Sequence, residues 1–308
     1  ALMTWRSVVI TKPSYLKLKD KGLVVVQNEE EVKIPLEDIA VLLIDNPQVT
    51  LSSQLLSACA SQQVTLITVG ADHHPNGVLL PFIPHSRALQ VIHRQINMGK
   101  PHAKRLWQQL VKQKIINQAH TLQQSNQTVQ AKRLRSIAVE VKSGDSENLE
   151  SIASQVYFPA LFGLNFNRRS SNFVNAALNY CYAILRATLA RYLVAYGFIT
   201  ALGLHHCNQQ NSFNLADDLI EPFRAITDAY VLMYFEDKQG DMLTTDDKAF
   251  LVNILNQEVT TLNVRGEHQV STMLVALEAI VISLSQCLKS GKHKLHMPLY
   301  FAPSSEGE

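Results

Sequence analysis

Over the first 80 residues, apolar and polar positions alternate with a period close to two, the spacing of strands that bury one face. Residues 7–10, 15–19 and 23–26 are short β-branched or alternating runs, and Asp20-Lys21-Gly22 reads as a hairpin turn between the last two. Pro35 and Pro47 interrupt the segments that follow. Residues 36–44 and 64–69 are apolar enough to predict buried strands, with a short helix over 51–61 between them. Asn76-Gly77 carries a tight-turn signal ahead of another short strand at 78–80.

From Ser86 onward the apolar period becomes helical. Segments 86–98, 102–125, 128–142, 147–163, 170–196, 218–236, 246–263 and 267–289 show spacings of three and four, with Gly99, Pro101, Gly144, Gly197, Gly240, Gly266 and Gly291 near their junctions. The pattern predicts an α+β chain: a small β-rich N-terminal domain followed by a larger all-helical domain. A length of 308 residues accommodates both. Ala1 and Leu2, ahead of Met3, read as an expression remnant, so the domains are drawn at 3–80 and 81–308.

Composition narrows the class. At 46% hydrophobic and 18% charged residues, the chain is globular rather than disordered or fibrous. No uncharged apolar run reaches the roughly 18 residues of a membrane span, so no membrane association is expected. The four cysteines, Cys59, Cys181, Cys207 and Cys287, stand singly, and no secretory pattern opens the chain; a reduced, cytoplasmic compartment is expected.

Formal charge is only +2, yet it is unevenly spread. Residues 87–142 contain eleven Lys/Arg, including Lys104, Arg105, Lys132 and Arg133, against the single acid Glu140. A stretch of that kind suits either a solvated helical surface or a phosphate backbone. Trp107 is the one aromatic side chain among these charges before residue 142, which favours contact to backbone over stacking on bases.

Three polar constellations could carry chemistry. The densest is Gly203-Leu204-His205-His206-Cys207-Asn208 followed by the run from Asn214 to Arg224, in which Asp218, Glu221 and Arg224 recur at a spacing of three. Pro222 is tolerated in a first helical turn, which predicts a helix starting near Asp218. Asp218 and Glu221 then serve either as something close to a capping box or, with His206, as ligands for a hard cation such as Mn²⁺ or Mg²⁺. Glu150 lies in another first turn, where an acid also suits the helix dipole. The third constellation is a stripe of Asn172, Asn175, Asn179, Tyr182 and Arg186, predicted to form an amide-rich outer helix face that either contacts phosphate or makes interhelical hydrogen bonds.

Taken together, Glu150-x6-Tyr157-Phe158, Asn175-x-x-Leu178-Asn179-Tyr180, His206 and Asp217-Asp218-Leu219-Ile220-Glu221-Pro222-Phe223-Arg224 resemble the CRISPR-associated endonuclease/integrase family that inserts new spacers. Pro35-Leu36-Glu37-Asp38-Ile39, with Asn76-Gly77, is similar to that family's N-terminal β domain, so the resemblance spans nearly the whole chain. The wording His206-x-Asn208-x-x-Asn211-x-Phe213-Asn214-Leu215 looks most like the type II branch. The resemblance implies a metal triad of Glu150, His206 and Glu221, with Asp218 matching a nearby acid that is functional in some relatives. It implies Mn²⁺ or Mg²⁺ as cofactor and strand transfer by a 3′-hydroxyl into DNA. It also implies a homodimer, with a small companion CRISPR-associated protein bridging two dimers, alongside other type II components. Asn175, Asn179, Tyr182, Arg186, Lys104, Arg105, Lys132 and Arg133 are the expected DNA contacts. Two other readings fit the residues alone: a non-enzymatic DNA-binding scaffold, and a zinc hydrolase built on His205, His206 and Cys207.

Overall fold

A computed structural model describes residues 6–70, 75–82, 88–235 and 242–301. Met3, Ser86, Arg87 and Gly240, all used in the sequence reading, lie outside them.

The strand-rich region builds two sheets. In one, β1 (Arg6–Ile10), β5 (Ile39–Ile44) and β7 (Thr65–Val69) run parallel, and β8 (Pro75–Val78) closes the edge antiparallel to β7. In the other, β2 (Tyr15–Lys19), β3 (Gly22–Gln27) and β4 (Glu30–Pro35) form a meander, and β6 (Thr50–Leu51) pairs parallel with β2. The helix α1 (Ser53–Ser61) is capped by the Ser52 hydroxyl, which accepts from the Leu55 N–H. Asn76-Gly77 lies within β8 rather than in a turn: a Cβ at Gly77 would come within 2.4 Å of Thr68 Oγ1 on the neighbouring strand, so this glycine serves close strand approach.

The remainder is mostly helical. It comprises α2 (Ala88–Ile96), α3 (Lys100–Gln124), α4 (Thr128–Glu140), α5 (Leu149–Phe162), α6 (Phe173–Ala195), α7 (Asn214–Phe235), α8 (Thr245–Val252) and α9 (Met273–Ser290). Two expected helices are divided. The stretch 246–263 ends in β9 (Glu258–Leu262), and 267–289 begins with β10 (His268–Thr272); with β11 (Met297–Phe301) they form an antiparallel sheet in the order β10-β9-β11. The Asn263 carboxamide oxygen accepts from the N–H groups of Arg265 and Glu267 and folds the hairpin between β9 and β10. The second region is therefore helical with a small sheet, and the chain as a whole is α+β.

Strand β5 explains how the regions meet. Leu42 and Ile44 join a smaller core with Leu16, Leu23 and Leu55, whereas Val41 and Leu43 join the large core shared with the helices. Alternate residues thus serve opposite faces, and that is why Ile39–Ile44 is apolar without a break. A buried ion pair, Lys248 Nζ to Asp45 Oδ2 at 2.7 Å, adds a polar tie between α8 and the end of β5. Helix α9 is long and apolar enough to cross a membrane by length and composition, although Glu278 and Lys289 keep it from being an uncharged run. Here it is a core helix, with Leu277, Ile280, Val281 and Leu284 buried and Glu278 accepting from the Tyr196 hydroxyl.

Candidate metal centre and nucleic-acid surface

Glu150 is the second residue of α5. Asp145 caps this helix, its two carboxylate oxygens accepting from the N–H groups of Leu149 (2.9 Å) and Glu150 (3.0 Å), which fixes where the Glu150 side chain leaves the backbone. Glu221 comes from α7, which starts at Asn214, a full turn before the expected start. The Asn214 amide donates to the carbonyls of Ala201, Asn208 and Asn211 and so sets that earlier start. Consequently neither Asp218 nor Glu221 is a cap. Pro222 lies inside the helix, where the Asn117 amide donates to its carbonyl at 2.7 Å.

Glu150 and Glu221 converge on one positive charge. The ammonium of Lys114, on α3, lies 2.5 Å from Glu150 Oε1 and 2.5 Å from Glu221 Oε2. Arg224, one turn along α7, holds the other oxygen, Glu221 Oε1, at 2.7 Å. Burial would raise the Glu221 carboxyl, but the Arg224 and Lys114 charges outweigh it and hold it at about 2. Burial likewise penalises the Lys114 charge, and Glu221 and Glu150 more than offset this, so its pKa is raised. Lys114 was counted in the basic surface segment. It is buried and belongs to the site.

The third expected ligand is held by an acid. Asp218, fully buried, accepts from the backbone N–H groups of Leu204 (2.5 Å), His205 (3.1 Å) and His206 (3.1 Å), and its Oδ1 lies 2.7 Å from His206 Nδ1. That hydrogen bond leads the causes raising the His206 pKa. Gly203 makes the clamp possible, because a Cβ there would come within 2.7 Å of Asp218 Oδ2 and 2.3 Å of the His206 carbonyl. His205 stacks flat on Trp107 with ring centroids 4.3 Å apart, while His206 meets the same indole edge-on. With Nδ1 directed at Asp218, Nε2 is the ring nitrogen left for another partner.

Carboxylates from two helices around one cationic point, with an oriented imidazole on the adjoining loop, form a hard donor set that suits Mn²⁺ or Mg²⁺. Among the described residues no three His, Cys, Asp or Glu side chains are gathered closely enough to hold a metal as they stand, and the ammonium of Lys114 occupies the point between the carboxylates. His205, His206 and Cys207 likewise form no zinc-binding group there.

A family model for CRISPR associated protein Cas1 matches residues 7–263. The chain belongs to the Cas1 family. It is 43% identical over 284 residues to the CRISPR-associated endonuclease Cas1 of Neisseria meningitidis serogroup C (strain 8013), covering 91% of each chain. Among solved structures, a casposase bound to integration product superposes with a TM-score of 0.76 at 19% identity, covering 94% of this chain and 92% of that one. A Cas6-RT-Cas1–Cas2 complex chain superposes with a TM-score of 0.66 at 16% identity, covering 94% of this chain and 35% of that one. These two likenesses concern the fold.

The expected DNA contacts separate by exposure. Lys104, Arg105, Lys132 and Arg133 are exposed, with Arg105 Nη1 3.0 Å from His293 Nε2. The α6 stripe is not an outer face. Asn175 and Tyr182 are buried, the former donating to the carbonyls of Asn167 and Ser170, the latter donating to Asp228. Asn179 is exposed and accepts from Arg168 at 2.8 Å, and Arg186 pairs with Asp217 through Nε at 2.6 Å and Nη2 at 3.0 Å. Arg168, absent from the sequence reading, organises this face: it bonds both Asn175 and Asn179 and lies over the Tyr182 ring. Its signal was the Arg168-Arg169 doublet just before the Asn172 cap. Sequence charge also passed over Arg265, Lys289, Lys292 and Lys294, which line one cavity of about 580 Å³ beyond the basic segment.

Proposed function

We propose that this chain is a divalent-metal-dependent DNA integrase and endonuclease of spacer acquisition. The observation that carries the reading is the convergence of Glu150 and Glu221 on a single cationic point in a chain of the Cas1 family. Glu150 and Glu221 would hold Mn²⁺ or Mg²⁺, with His206 Nε2 as third donor. A bound ion supplies Lewis-acid stabilisation of the charge that builds on a phosphodiester.

The protein's own groups do the rest. Asp218 fixes the ring orientation of His206 through Nδ1 and ties the 204–206 backbone to α7. Arg224 keeps Glu221 ionised. Exposed Lys104, Arg105, Lys132 and Arg133 offer phosphate contacts that hold duplex DNA without reading its sequence. In strand transfer, the 3′-oxygen of an incoming strand forms a new P–O bond, the 3′-oxygen of the resident strand leaves, and the proton lost by the first hydroxyl is matched by one gained by the second. Water in place of the incoming hydroxyl makes the same displacement a hydrolysis. A homodimer, a Cas2-type companion and DNA complete the proposed assembly; solved likenesses named as Cas1–Cas2 and Cas1–DNA complexes support the last two. The four free cysteines suit work in the cytoplasm.

The test is strand transfer of a 3′-hydroxyl duplex into repeat-bearing DNA with the companion protein and Mn²⁺. EDTA should abolish product. Glu150→Ala, His206→Ala and Glu221→Gln should retain fold and DNA binding while losing about a hundredfold or more in rate, several kcal/mol at about 1.36 kcal/mol per tenfold. Near-normal integration by folded Glu221→Gln in Mn²⁺ contradicts the reading. A scaffold without catalysis is the second reading, favoured by one observation: Lys114 and Arg224 already pair the carboxylates without any metal. It requires that chelation leave the protein's contribution to integration unchanged.

A further inference from the structure

Lys114 is a buried lysine in contact with both carboxylates assigned to the metal, and neither the proposed chemistry nor the DNA surface uses it. The side chains of Lys114, Glu221 and Glu150 are 10%, 5% and 24% exposed. Two carboxylates at this depth would repel one another and force one to take up a proton if no cation lay between them. Arg224 cannot be that cation, because it touches only Glu221, on the opposite oxygen. Among the described residues, Lys114 alone bridges the pair.

The charges define what an arriving ion must do. Glu150, Glu221, Lys114 and Arg224 together are neutral. A divalent ion placed at the shared oxygens adds two positive charges at the point the ammonium fills. We propose that Lys114 is a built-in counter-ion that competes with the divalent cation for Glu150 and Glu221, so that loading requires its ammonium to leave the carboxylate pair. The inference rests on the metal reading above and adds a determinant of metal affinity to it. A lysine is suited to the exchange: its charge sits on a flexible four-carbon stem, and it gives up two hydrogen bonds without any backbone change. The fraction of molecules in which the ammonium has withdrawn sets the apparent metal affinity, because only that state accepts the ion. With the metal in place the pocket carries excess positive charge, which a phosphodiester is suited to balance. Metal and DNA should then each strengthen the binding of the other.

The experiment is a calorimetric Mn²⁺ titration of full-length wild type and Lys114→Met, with melting curves in EDTA and in Mn²⁺. Lys114→Met should bind Mn²⁺ at least about tenfold more tightly, melt at a lower temperature in EDTA, and gain more from Mn²⁺ than wild type does. Lys132→Met removes an exposed charge from the same basic segment and should shift Mn²⁺ affinity by less than about twofold. The direction of the affinity change decides: unchanged or weaker Mn²⁺ binding by Lys114→Met, while wild type binds normally, overturns the inference and leaves the metal reading standing. Failure of both proteins to bind Mn²⁺ overturns the two together. Lys114→Gln, which can still donate to one carboxylate, takes the same measurement if the methionine variant does not fold, with tighter binding again expected and unchanged or weaker binding again overturning the inference.

Discussion

Asp218 offers the sharpest test of how the site is held together. Its carboxylate accepts three backbone N–H groups from the 204–206 loop and faces the imidazole of His206, with no exposure to solvent. Asp218→Ala leaves all three donors without their acceptor at about 1–3 kcal/mol each, and because the loop is partly exposed the lower end applies, giving about 3 kcal/mol in all. That is a large part of the roughly 5–15 kcal/mol by which a domain is stable. Asp218→Asn keeps one acceptor oxygen but turns an amide NH₂ toward the donors on the other side, so about half of that loss is expected. Denaturant melts with an unchanged m-value read these differences directly. A second readout separates positioning from bulk stability. At a temperature where Asp218→Asn is fully folded, strand transfer should still fall about 10–100-fold, the usual cost of removing a residue that orients a metal-binding histidine. His206 in the metal-free variant should also titrate lower than in wild type, because its hydrogen bond to Asp218 is what raises it. The folded imidazole holds its proton more tightly than the unfolded one, so this stabilisation is present in acid and disappears as pH rises through the raised value. The advantage of wild type over Asp218→Asn should therefore be larger at acid pH than at pH 8. An alanine variant within about 0.5 kcal/mol of wild type, with the titration of His206 in Asp218→Asn unmoved, would refute the clamp.

Asp228, buried beneath Tyr157 and Tyr182, is pushed up to about 6 by burial, in spite of hydrogen bonds from both phenols and the nearby Arg168 and Arg224 charges. Its folded value lies above its unfolded one, so its contribution is fully present below the unfolded value and is lost as pH rises through about 6; the stability difference between wild type and Asp228→Asn should move against wild type by about 2 kcal/mol from pH 4 to pH 7, and a constant difference refutes this. On the DNA surface, neutralising Lys104 with Arg105, or Lys132 with Arg133, should lower the salt slope of duplex binding by up to about 2 per pair, since each phosphate contact contributes about 0.9; an unchanged slope removes that pair from the interface.

The division into a strand-rich and a mostly helical region was legible because a period of two and a period of three to four cannot be satisfied by the same backbone. The legibility failed where both periods fit. Val259-Thr260-Thr261-Leu262 is β-branched enough for a strand, and only the Asn263 turn, which pairs it with β10, decides against a helix. Pro222 misled because a proline inside a helix is costly in isolation, whereas here α7 runs on through it from Asn214 to Phe235. Charge misled at Lys114 for a related reason. It stands three and four residues after Val111 and Leu110, on the face that is buried, and its periodicity carried the signal that a count of basic residues hides. Asn175 and Tyr182 followed the same rule on α6, where the polar stripe is directed at Arg168, the 167–170 loop and Asp228.

What no spacing distinguishes is which acid holds an ion and which holds the protein. Glu150, Asp218 and Glu221 are carboxylates near helix starts in the sequence, and burial does not sort them either, since both Asp218 and Glu221 are buried. Their partners do. Asp218 is satisfied by backbone N–H groups that cannot leave without unravelling the 204–206 loop, so its oxygens are committed. Glu150 and Glu221 share the ammonium of a flexible side chain, which can withdraw by rotating about its own bonds. An ion can therefore replace the partner of the two glutamates at the cost of moving one lysine, whereas replacing the partners of the aspartate costs a loop. That asymmetry, rather than distance to any one point, is why the proposed function gives binding to Glu150 and Glu221 and orientation to Asp218.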